Sequence, residues 1–184
     1  QLVATLNQTK VSLLPRLRGD RGQRGTRRTL QYYFVAQDIH ERASSSHIQY
    51  QTLRDQFRYS DVMFRFQRML SMQAQACQKL SRAILLREPY QHDAHFERAF
   101  MHLDAALDRV RAGGASDEQL NALGYLLNNL RAIDAQLATI ESVQTTAPAG
   151  SNTETLLADD RLGGLSDIWL RLQRNMSPES ALFR

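Results

Sequence analysis

The sequence predicts an all-α bundle of about five to six helices, and three observations carry that prediction. Apolar residues recur at spacings of three and four over most of the 184 residues. Prolines number only four and glycines nine, most of them lying between the periodic stretches. No segment shows the period-two alternation of a half-buried strand. With 42% apolar residues, the chain reads as one helical domain over residues 1–184, long enough to bury a real core.

Taken in order, Leu2, Val3, Leu6, Leu13 and Leu14 form an incomplete helical pattern with no capping signal before it. Residues 1–14 therefore read as the tail of a helix that begins upstream. The opening on Gln1 rather than Met likewise reads as an excised or processed piece. Pro15 closes this segment, and residues 15–26 form a glycine-punctuated basic loop. From Thr26 to about Phe57 a long helical pattern carries Leu30, Phe34, Ile39, Ala43, Tyr50, Leu53 and Phe57. The Ser44-Ser45-Ser46 run inside it is a poor helix former, so the expectation is one helix with a weak middle.

Residues 60–111 predict a central antiparallel hairpin. Ser60 and Asp61 offer an N-cap, and Val62, Phe66, Met69, Ala76, Leu80 and Ile84 make one stripe. Glu88-Pro89-Tyr90 stops that helix, because proline disfavours the α conformation of the residue before it. Asp93 caps the return helix, whose stripe is Phe96, Phe100, Leu103, Leu107 and Val110.

Gly113-Gly114 is a helix stop, and Ser116-Asp-Glu-Gln119 has capping-box spacing for the next start. The stripe that follows, from Leu120 through Leu123, Leu127, Leu130, Ile133 and Leu137 to Ile140, is the most regular in the chain. Residues 145–160 turn to Ala, Pro, Gly, Ser, Asn and Thr and read as a mobile surface loop. A short helix over about Leu165–Arg174 carries Ile168, Trp169 and Leu172. Ser177-Pro178-Glu179 is then a helix start with a cap, a first-turn proline and an acid, so residues 177–184 read as the beginning of a helix that continues downstream.

Charge is local. Residues 16–28 hold Arg16, Arg18, Arg21, Arg24, Arg27 and Arg28 against Asp20, a net of +5 that exceeds the whole chain's formal +4 and leaves −1 for the remainder. Such a cluster has three readings. It contacts anionic lipid headgroups, at about 1 kcal/mol per residue near a membrane surface, and helps fix orientation. It is a solvated loop. Or it binds nucleic-acid phosphates, although the net charge of −1 over the remainder argues against that. The longest apolar run, Tyr32–Ala36, is five residues, against the ~20 that span a bilayer.

Chemistry-bearing patterns are sparse. The lone Cys77 lies on an apolar stripe, which excludes a disulfide framework, points to a reducing compartment and reads as a small core residue. His92-Asp93-Ala-His95 with His102 and Asp104 is the nearest approach to a metal site, but His95 and His102 stand two helical turns apart. His40, Glu41 and His47 lie among serines without a nucleophile-elbow glycine pattern. Gly19, Gly22 and Gly25 lack phosphate-loop spacing and a lysine partner. Arg18-Gly19-Asp20 spells an adhesion tripeptide, and in a one-cysteine chain without a secretion signal it reads as coincidence. No catalytic residue, metal ligand or cofactor is assigned, and the chain is not read as an enzyme.

Six strings carry a family resemblance: Arg18–Arg28, Tyr33–Ser46, Phe64–Arg68, Pro89–His92, Leu126–Leu137 and Leu165–Trp169. Through them the chain resembles the FUSC-like (fusaric acid resistance) family of bacterial inner-membrane proteins over essentially its whole length. The resemblance implies a soluble cytoplasmic region between two blocks of transmembrane helices, with relatives that export aromatic acids. It implies a structural, oligomerisation or regulatory role in efflux, with the protein's own transmembrane domains and further copies of itself as partners, while the arginine segment is the candidate for contact with anionic headgroups and no specific nucleic acid is expected. The alternative is a free cytosolic helical module that binds nucleic acid or a partner helix through the Arg/Gly segment.

Overall fold

A computed structural model describes residues 2–13, 23–57, 60–86, 88–145 and 167–174. Among them every regular element is a helix: α1 (Leu2–Leu13), α2 (Gln23–Gln56), α3 (Asp61–Leu86), α4 (His95–Ala112), α5 (Asp117–Thr145) and α6 (residues 167–174). The all-α bundle and its 60–111 hairpin are as the periodicity predicts. The expected loop over residues 145–160 and the helix start at 177–184 lie outside the described residues, Thr145 apart.

Each boundary has a local cause. Ser60 Oγ accepts the Met63 N–H at 3.4 Å at the start of α3, where Asp61 supplies the first-turn acid. Pro89 ends the run, with the Glu88 N–H reaching back to the Ala83 carbonyl at 2.9 Å. At the end of α4, Gly114 takes φ +83°, and the Ala115 N–H bonds the Val110 carbonyl at 3.4 Å. This six-to-one closure needs a left-handed residue, and glycine supplies it without steric cost. The α5 capping box forms in both directions: Gln119 N–H to Ser116 Oγ at 3.2 Å, and Ser116 N–H to Gln119 Oε1 at 3.0 Å.

Two expectations shift. Helix α2 begins at Gln23 rather than Thr26, so residues 23–26 of the expected loop are helical. The first turn makes no intrahelical bonds from its N–H groups, which makes Gly25 tolerable there. Ala94, not Asp93, occupies the N-cap position of α4, yet Asp93 Oδ1 still accepts the His95 N–H at 2.9 Å.

The serine run does not break α2. Ser45 and Ser46 hydroxyls donate to the Arg42 carbonyl at 3.0 and 2.8 Å, turning local competition back onto the helix. Ser46 is buried and accepts from Asn129 Nδ2 at 3.0 Å, a polar tie between α2 and α5.

Short connections make α2 to α5 run alternately up and down. Helix α5 packs against α2, α3 and α4, and α1 lies on α2. The core between them holds Tyr50, Phe66, Met69, Leu70, Leu80, Leu103, Leu126, Leu130 and Leu137, with Ile168, Trp169 and Leu172 from α6 also buried. Gln73 sits in this core and donates to the Leu130 carbonyl at 2.7 Å. The end where α2 starts also carries the α3–α4 connection and the end of α5.

Candidate functional site

Three places could carry function: the α3–α4 connection, the α1–α2 cleft and the arginine segment. At the connection, Pro89 disfavours continuation of the helix, and His92 in the segment after it contacts Asp134 and Glu141 of α5. Tyr90 is buried, and its hydroxyl lies 3.0 Å from His92 Nδ1. His92 Nε2 lies 2.7 Å from Asp134 Oδ1, and the His92 N–H donates to Glu141 Oε2 at 3.1 Å. The imidazole stacks on Phe96 with centroids 4.8 Å apart and planes 3° from parallel. In the neutral tautomer protonated at Nε2, His92 donates to Asp134 and accepts from Tyr90.

Burial raises the Tyr90 hydroxyl well above the ordinary tyrosine range, with Cys77, Asp134, Glu141 and Asp93 adding to the effect. The Cys77 thiol, fully buried as its stripe position predicts, is pushed up to about 12 by burial. A Tyr–His–Asp chain has the order of a nucleophilic relay, yet its terminal hydroxyl is enclosed and hard to ionise. The arrangement therefore acts as a clamp fastening the connection to α5.

The other sequence candidates do not join it. His95 is exposed and bonds Asp93 Oδ1 through Nδ1 at 2.7 Å. The Asp93 carboxyl is held below its usual range chiefly by the His95 backbone N–H, with the His95 side chain adding to it. His102 is exposed farther along α4. Asp104 pairs with Arg131, whose guanidinium lies 4.8 Å from the Phe100 ring centroid. Among the described residues no three His, Cys, Asp or Glu side chains are grouped to hold a metal ion.

Sequence reasoning missed Asp134 and Glu141 as partners of His92. A signal was present: the two acids stand seven apart, on one face of α5 beside its apolar stripe.

The second place is a cleft of about 340 Å³ between α1 and α2, lined by Val3, Leu6, Asn7, Tyr33, Gln37, His40, Glu41 and Ser44. Burial holds His40 below its ordinary value, against an opposing pull from Glu41. Burial also raises the Tyr33 hydroxyl, and the Glu41 charge adds to that.

Of the arginine segment, Arg16, Arg18 and Arg21 lie outside the described residues, while Arg24, Arg27 and Arg28 fall in the first two turns of α2. Leu85 and Leu86 are exposed at the end of α3, at the same end of the bundle. None of the described helices is long and apolar enough to cross a membrane.

Comparison with known proteins supplies the context. Residues 1–137 match the family model described as "FUSC-like inner membrane protein yccS". Over 183 residues the chain is 75% identical to the Escherichia coli protein named "Inner membrane protein YccS", covering all of this chain and 26% of that protein. It is 33% identical over 184 residues to an uncharacterized protein of Haemophilus influenzae, covering 25% of it. The chain thus spans about a quarter of the length of the curated relatives it matches. No solved structure matches it.

Proposed function

The chain belongs to the FUSC-like inner-membrane protein family, and from that premise we propose that it is a cytoplasmic helical domain seated between two transmembrane blocks of a transport protein. One observation carries the reading. The chain matches a quarter of an inner-membrane protein at 75% identity, while none of its described helices can cross a bilayer. Membrane insertion then belongs to the remaining three-quarters, and this bundle links, supports or regulates it. Its clamps suit a rigid connector: the Tyr90–His92–Asp134 chain and the Ser46–Asn129 tie fasten elements far apart in sequence. A homo-oligomeric assembly of the whole protein is part of the same reading.

In this proposal Arg16, Arg18, Arg21, Arg24, Arg27 and Arg28 meet anionic headgroups. The +5 charge of residues 16–28 supports this, as do Leu85 and Leu86 exposed at the end from which α2 starts. The test is vesicle binding by the 184-residue chain carrying Arg21→Glu, Arg24→Glu and Arg27→Glu. The expected result is lost binding to phosphatidylglycerol vesicles, with weak DNA binding unchanged. If DNA binding is strong and collapses while vesicle binding was never present, the segment is a nucleic-acid site and the free-module reading replaces this one. If neither changes, the segment is solvated and the headgroup contact is withdrawn.

A further inference from the structure

We infer that the cleft between α1 and α2 is a binding site for a small organic cation with an apolar body. The cleft's volume of about 340 Å³ falls within the range of small-molecule sites, roughly 300–1,000 Å³. Its walls come from two helices, so an occupant touches both and holds α1 against α2. Val3, Leu6 and Tyr33 supply the apolar side, where a hydrocarbon or ring would rest.

The polar lining selects charge. Among the described residues that line it, Glu41 alone carries a fixed charge, and it is negative. Gln37 Nε2 donates to Glu41 Oε1 at 3.1 Å from one turn earlier on α2, which positions the carboxylate. The nearby guanidinium of Arg42 is engaged by Asp38 at 2.8 Å. Desolvation disfavours charged His40, so its ring keeps a lone pair rather than adding a second positive charge. The Asn7 amide oxygen and the Ser44 hydroxyl are further acceptors in the lining. An ammonium group, with several donors and a positive charge, is the complement of this set, and a carboxylate is its opposite. An aralkylamine combines that head with a body suited to the apolar wall.

The site is a property of the bundle and stands apart from its placement at a membrane. Its test is titration of the 184-residue chain, followed by amide chemical shifts, with phenethylamine and with hydrocinnamate, which carries a carboxylate in place of the amine. Phenethylamine is expected to give saturable shifts at Leu6, Tyr33 and Glu41, and hydrocinnamate none. Because Glu41 is exposed, Glu41→Gln keeps the fold and weakens the amine about tenfold, the loss of one charged contact. Glu41→Lys transfers the saturable response to hydrocinnamate. Equal or stronger shifts from hydrocinnamate in the unaltered chain overturn the inference. So does the absence of any saturable shift up to ~10 mM phenethylamine, where even millimolar affinity would register.

Discussion

His92 Nε2 lies 2.7 Å from Asp134 Oδ1, joining the proline-broken connection after α3 to the middle of α5, 42 residues away. The contact is largely shielded, with the imidazole 13% and the carboxylate 23% exposed. Tyr90 on the other ring nitrogen and Phe96 beneath the ring leave His92 little rotational freedom. His92→Ala removes three contacts together and is expected to destabilise the bundle by about 1–3 kcal/mol in urea unfolding. A double-mutant cycle with Asp134→Asn should give a coupling of about 0.5–2 kcal/mol. Additive losses would show that the clamp does not act as a unit.

Ser46 and Asn129 form a second long-range tie, buried between α2 and α5. Ser46→Ala strands the Asn129 amide away from water and should cost about 1–3 kcal/mol, whereas pairing it with Asn129→Leu should recover part of that loss. Thermal unfolding of the two variants decides the matter. A double variant less stable than Ser46→Ala would mean that the space between the helices does not accept an apolar pair.

Acid should weaken the fold in two stages. Burial lowers the His40 pKa below 6.5, so the unfolded chain takes that proton first. Stability then declines as pH falls below about 6.5, until folded His40 is also protonated. Asp61 is held low chiefly by its hydrogen bonds to Arg65 and Arg109, and Asp93 by the His95 N–H. Their contribution is complete above the ordinary value of 3.8 and is lost as pH falls through their lower folded values. Urea midpoints across pH should show both declines. His40→Gln should remove the upper one, and Asp61→Asn should shrink the lower one.

Cys77 should be inert in the native state. Its thiol is enclosed and held near 12 by burial, so almost none is thiolate at neutral pH. A chromogenic disulfide reagent is expected to leave it untouched for hours in buffer and to titrate one thiol in guanidinium. Rapid native reaction would mean that α3 opens readily.

What was legible in the sequence is what depends on neighbours three to five residues apart. The Ser116–Gln119 capping box, the Gly113-Gly114 stop and the Pro89 break rest on local bonds, and each is in place. The apolar stripes of α3 and α4 point inward because a helical period admits one buried face. The start of α2 was misplaced by three residues, because Gly25 reads as loop wherever its position in a first turn is unknown. Asp134 and Glu141 stand out as two acids on one face of α5, but which side chain each meets was not legible, nor were the pairs Ser46–Asn129 and Gln73–Leu130. The partners lie 42 to 83 residues apart, and no local rule chooses among the acids and amides that several helices offer. The α1–α2 cleft was hidden for the same reason, since its walls come from two elements.

The most direct test of the central claim is the sidedness of this domain in the full-length protein. A Met101→Cys variant places one thiol on an exposed site of α4, with native Cys77 unreactive and cysteines outside these residues removed. A membrane-impermeant maleimide is predicted to label it in inverted inner-membrane vesicles and not in spheroplasts. Labelling in spheroplasts, with none in inverted vesicles, would place the domain on the periplasmic face and contradict the account.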